Sequence, residues 1–169
     1  MLGMAVLVSD TSVIIDLERS GLLKSAFSLQ VEFAVPDLLF ERELRANGGD
    51  ELLALGLRIV SLEPAVVEVA QAYYKDRTVL ALPDCFALAL AQSHGWVLLS
   101  GDGPLRKLAA GASVECHGVL WLFDWMERDS ILTLGELHAA LTRLTAPLDV
   151  DCRRRRPRNA WRDIAGARE

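Results

Sequence analysis

A chain of 169 residues with 51% hydrophobic composition is one domain's worth, long enough to bury a sizeable core. Its longest apolar runs, such as Val6 to Val8 and Val119 to Phe123, fall far short of the ~20 residues a membrane span needs, so a soluble protein is expected. The net charge of −5 divides unevenly: residues 150–169 carry seven Arg against Asp151, Asp163 and Glu169, a local +4 that leaves −9 on the body, which disfavours broad electrostatic binding of nucleic acid yet suits a pocket that gathers carboxylates around cations.

Met1 to Ser9 lacks a basic segment and a small-residue cleavage site, so no targeting peptide is expected. Ala5 to Val8 reads as a short buried strand and ends in Ser9-Asp10-Thr11-Ser12, followed by the apolar Val13-Ile14-Ile15. Asp10 therefore sits at a strand's carboxyl end. An Asp or Ser here caps a helix as readily as it serves chemistry, and one division of labour has Ser12 capping while Asp10 faces a metal. Val31 to Val35 is a second buried strand, and Pro36 to Arg45 a helix opened by its proline. Within that helix Glu43 borders the packed face, near Leu39, Phe40 and Leu44, while Glu41 points more to solvent and stands as the alternative. Arg58 to Leu62 is a weaker strand, and Pro64 to Lys75 a further proline-started helix.

Pro83 to His94 is a helix of small and apolar residues stopped by Gly95, with one acid, Asp84, in its first turn. A favourable helix-dipole contact would explain that acid without any chemistry. Trp96 to Leu99 is a third strong strand and ends in Ser100-Gly101-Asp102-Gly103, which repeats the hydroxyl and carboxylate placement of the first strand and would otherwise pass for a turn. Leu105 to Ala110, a weak strand at Ser113 to Cys116, and Val119 to Arg128 continue the alternation; Thr133 to Leu144 starts with a Thr cap and Glu136 three residues on, a capping box. Trp121 and Trp125 share one helical face, where core packing is the expected role; an exposed face would serve a homodimer, the expected assembly, or a partner groove. Arg153, Arg154, Arg155 and Arg156 read as a solvated tail and as possible RNA contacts.

Strands alternating with helices imply right-handed crossovers and an α/β fold, a three-layer sandwich with a central parallel β-sheet flanked by helices, in which ligands bind beyond the carboxyl ends of the strands. The expected layout is a core domain over residues 1–130, a C-terminal helix packed on it over 131–149, and a basic tail over 150–169. Cys85, Cys116 and Cys152 form no Cys-x-x-Cys pair, so neither a zinc ribbon nor a disulfide framework is indicated and a reducing cytoplasm is the natural setting. His94, His117 and His138 lack ligand spacing and read as helix-end or surface residues. Gly-x-Gly-x-x-Gly and Gly-x-Ser-x-Gly are absent, which removes dinucleotide binding and serine hydrolysis. Ser12 stands where a haloacid dehalogenase-type phosphatase has a second Asp, and no strand-end lysine supports a receiver domain.

Over residues 4–130 the sequence resembles the PIN-domain family, in particular the VapC-type toxins of toxin–antitoxin pairs. Asp10 with Ser12, Glu43, Asp84 and Ser100-x-Asp102 match its signature in order, the spacing from Pro36 fitting Glu43 imperfectly and leaving Glu41 open. The resemblance implies a ribonuclease acting on RNA, with an antitoxin as cognate partner. Crowded carboxylates repel one another unless a cation neutralises them, and oxygen-only ligands favour Mg2+ or Mn2+ over zinc. Asp10, Asp84 and Asp102 are the expected ligands, Glu43 would hold a metal-bound water or orient the nucleophile, and Ser12 and Ser100 would hydrogen-bond the carboxylates. The competing expectation keeps the fold and discards catalysis: a binding module whose acids are caps and whose surface serves a protein partner.

Overall fold

Val31–Pro36 (β2) is buried at five of its six positions, the last four in a row and not alternately, so both faces of the strand are covered there. Ala5–Ser9 (β1) lies beside it in parallel, with Leu7 opposite Phe33, and Val97–Leu99 (β4) flanks β1 on the other side, with Leu7 also opposite Val97. Arg58–Val60 (β3) and Cys116–His117 (β5) close the two edges. The order is β3-β2-β1-β4-β5, parallel throughout. The computed structural model describes residues 4–76 and 79–146, so Arg153 to Arg156 and the rest of the expected tail lie outside the described residues.

Parallel neighbours need crossovers, and helices supply them. Thr11–Ser20 (α1) and Leu23–Phe27 (α2) join β1 to β2; Asp37–Leu39 (α3), continued by a π-helical turn at Phe40–Leu44, and Gly49–Leu55 (α4) lead to β3. Pro64–Asp76 (α5) and Leu82–His94 (α6) pack on each other, and α6 also packs on β1, β2 and β4. The unbroken buried run from Pro83 to Ala91 explains the small residues of α6, which let its backbone lie close to the sheet. Gly103–Gly111 (α7), Val119–Arg128 (α8) and Leu134–Thr145 (α9) complete the chain as described. The capping box on α9 is formed by Thr133 and Glu136, and its Arg143 donates to the Ser20 carbonyl at 3.1 Å, docking α9 on α1.

This is the expected sandwich, with local differences. Strand β3 stops at Val60, not Leu62, and β5 starts only at Cys116, since Ser113 holds a left-handed backbone that no strand accommodates. Helix α7 begins two residues early, at Gly103, because Asp102 caps it and Pro104 fits its first turn. Helices α2 and α4 were not anticipated. Trp121 and Trp125 meet edge to face, ring centroids 5.0 Å apart, half-buried against the core. Among the described residues no helix is long and apolar enough to cross a membrane.

Candidate active site at the carboxyl edge of the sheet

The order of strands reverses on either side of β1, and a crevice at such a point is where doubly wound sheets take ligands. Asp10 follows β1 there, with no exposed surface, its backbone N–H donating to the Leu99 carbonyl at 2.9 Å. One carboxylate oxygen accepts from Ser12 Oγ at 2.6 Å and from the Val13 N–H at 3.0 Å; the other accepts from Ser100 Oγ at 2.5 Å. Asp10, and not Ser12, is thus the cap of α1. Ser12 has a different task, since its Oγ, while donating to Asp10, accepts the Gly101 N–H at 3.1 Å and so ties α1 to the loop after β4. Ser100 does the same for Asp102, accepting its N–H at 3.0 Å. Each buried hydroxyl gives its proton to Asp10 and receives an amide, leaving neither unsatisfied.

Asp102 is half-buried and caps α7 through the Leu105 N–H at 3.3 Å. Glu43 is buried on the π-helical turn, where Thr11 Oγ1 donates to its carboxylate; Glu41 on the same turn is exposed and paired with Arg45. Thr11 is the participant that sequence reasoning passed over, although the hydroxyl next to Asp10 was a visible signal. Asp84 is buried in the first turn of α6, and that helix, running back to feed β4, starts at the carboxyl edge of the sheet. Beside it the Cys85 thiol is pushed up to about 11, first by burial and then by the Asp84 charge. The Cys116 thiol is raised too, by burial foremost; Arg106 opposes the rise and Asp10 adds to it.

The structure therefore joins Asp10, Ser12, Ser100 and Asp102 in one hydrogen-bonded network, links Glu43 to it through Thr11, and sets Asp84 at the same edge. Among the described residues no three His, Cys, Asp or Glu side chains converge at metal-ligating distance. Asp10, Glu43 and Asp102 turn carboxylate oxygens to hydroxyl and amide donors. The donor chemistry nevertheless fits a hard divalent cation, being all oxygen, with the nearby thiols held protonated.

The family model described as DUF3368: PIN domain matches residues 6–155. The chain belongs to the PIN domain family. A solved PilT N-terminus domain protein from the hyperthermophilic archaeon Sulfolobus solfataricus P2 shares this PIN fold at a TM-score of 0.50 and 14% identity, over 73% of this chain and 93% of that one. At such low identity the likeness speaks for the fold alone. No curated protein matches the chain. PIN domains are generally nucleases, and the acidic edge of this one is where such chemistry would reside. A groove of about 440 Å³ is lined by Asp37, Leu38, Glu41, Leu62, Val67 and Phe86 and by none of the four acids.

Proposed function

We propose that this PIN domain is a metal-dependent endoribonuclease, the toxin of a type II toxin–antitoxin pair. The observation that carries the reading is Asp10: a fully buried carboxylate at the switch point of the sheet, its oxygens held by hydroxyls from the first turn of α1 and from the loop after β4. Burying a carboxylate is costly, and Glu43, Asp84 and Asp102 stand at the same edge, a gathering of acids that supports a functional site there. Asp10, Asp84 and Asp102 would hold Mg2+ or Mn2+, with Glu43 close by. The ion, when bound, supplies a Lewis acid for the phosphodiester and a more acidic water. Ser12 and Ser100 orient Asp10; Thr11 steadies Glu43, which positions the attacking water. An RNA digest with and without Mg2+, read by sequencing the cut ends, tests the reading; no metal-dependent cut would end it.

A second reading has its own support. Asp10 and Asp102 each cap a helix, and no three potential ligands converge among the described residues, as suits a PIN fold that acts through protein partners without catalysis. Metal linkage separates the two: an ion held by the native state raises the melting temperature, by about 2.7 kcal/mol of stabilisation at a hundredfold excess over Kd. A melting temperature indifferent to millimolar Mg2+ and Mn2+ selects the binding module. A cognate antitoxin and a homodimer belong to the toxin reading, with co-purification and sedimentation as their tests.

A further inference from the structure

Helix α7 brings more than the Asp102 cap to the acidic edge. One turn on, Arg106, whose backbone N–H bonds the Asp102 carbonyl at 3.0 Å, is exposed at its side chain and reaches across to the turn between β5 and α8. Its Nη1 stands 3.6 Å from where a Cβ would sit on Gly118, and the Ser100 carbonyl lies 3.8 Å from that same point. Ser100 is the residue whose hydroxyl holds Asp10. Cys116, two residues before Gly118, feels both the Arg106 guanidinium and the Asp10 carboxylate, which act on its thiol in opposite senses. A solvent-facing positive charge is thus fixed on the rim of the acid cluster, between the two loops that follow β4 and β5.

Of the six other arginines among the described residues, five are spoken for, all but Arg42 on the π-helical turn. Arg45 pairs with Glu41, Arg19 with Asp16, Arg58 with Glu32 and Arg128 with Asp129, while Arg143 binds the Ser20 carbonyl. A phosphodiester entering a nest of carboxylates is repelled unless a cation on the approach offsets them, and a guanidinium offers two parallel donors to two phosphate oxygens.

We infer that Arg106 is a phosphate-binding residue of this site, holding the backbone of single-stranded RNA on the β5 side of Asp10 and Asp102. The inference rests on the ribonuclease reading for its substrate, and it deepens that reading by naming where the strand is gripped.

Full-length protein carrying Asp10→Asn, which holds RNA uncut, is titrated with a fluorescein-labelled oligouridine in Mg2+ over a series of KCl concentrations. Arg106→Ala should weaken binding several-fold and lower the slope of log affinity against log salt by about 0.7, the loss of one single-strand phosphate contact. Arg106→Lys should keep the slope, since it keeps the charge, and Lys107→Ala on the adjoining face should change neither quantity. Equal slopes for Arg106→Ala and its parent overturn the inference, as does an equal loss at Lys107 or a parent that binds no oligouridine. Cleavage by the chain with Asp10 intact is measured alongside. A slope loss at Arg106 without any cleavage sinks the nuclease reading and leaves the phosphate site standing, whereas cleavage with unchanged slopes sinks Arg106 alone.

Discussion

Asp10 accepts hydrogen bonds from the start of α1 and from the loop after β4, so it clasps the two together, and on the proposed reading it would hold the metal as well. Asp10→Asn keeps one acceptor oxygen and nearly the same shape while removing the charge. It should therefore fold, by circular dichroism, yet lose metal-dependent RNA cleavage. Ser12→Ala and Ser100→Ala remove only the donors that aim the carboxylate, for which a loss of about 10–100-fold in rate is expected, smaller than that of Asp10→Asn. Likewise Glu43→Gln should cost more activity than Glu41→Gln, because Glu43 is the buried member and Thr11 holds it; the reverse ranking would move the site to the solvent side of the turn. The Cys85 thiol, raised from 9.0 to about 11, favours its protonated form in the folded state. Its contribution to stability is accordingly complete below the ordinary thiol value and is lost as pH climbs from there toward 11. Cys85 should resist Ellman's reagent at pH 8 in native protein and react on unfolding, as peptide mapping would read. Native labelling would mean that the helix opens. At this scale Asp10, Asp84 and Asp102 were legible because they stand just after a strand or at a helix start, while Glu43 was preferred to Glu41 only by its apolar neighbours Leu39, Phe40 and Leu44. The cap at Asp10 was not legible, since the choice between two neighbouring capping residues depends on Ser12 meeting Gly101, which lies 89 positions away.

Two helix starts were written plainly in prolines, α5 at Pro64 and α6 at Pro83, while the same signal in Pro104 at the start of α7 was passed over. Helices α2 and α4, five and seven residues long, were illegible because so short a segment shows no apolar period to read. The π-helical turn was hidden for another reason. Wide turns carry no composition signature; this one is closed by the Arg45 N–H bonding Phe40 O, five residues back, at 2.8 Å, and it gains a tertiary contact where Glu43 meets Thr11. That turn alters how Glu43 follows from Pro36. Helix α9 offers the simplest test of an element. Thr133→Ala breaks the capping box and should cost about 0.5–2 kcal/mol in urea unfolding. Glu136, lowered by its bonds from the Thr133 backbone and hydroxyl, supports the box above the usual carboxylate range and ceases to as pH falls through its folded value. The variant should therefore show a weaker loss of stability on acidification than the parent, and an identical acid profile would contradict the box.

For the molecule as a whole, charge is the property to test. If an acidic edge holds a cation, Mg2+ or Mn2+ should raise the melting temperature of the parent, and less so that of Asp10→Asn. Truncation after Val150 removes the arginines beyond it; should they touch RNA, binding weakens and its salt slope flattens with metal affinity unchanged, whereas identical slopes would leave Arg106 as the cation that matters. The sheet order has a bearing on time. The first strand made is the central one, and its Asp10 is completed by Ser100, 90 positions later, through pairing with β4. At translation speeds of roughly 5–20 residues per second, that separation delays closure of the acid cluster by several seconds after Asp10 has been made. On the ribonuclease reading proposed above, a ribosome-bound chain would be unable to cut the message that encodes it until Ser100 has emerged, a built-in safety interval.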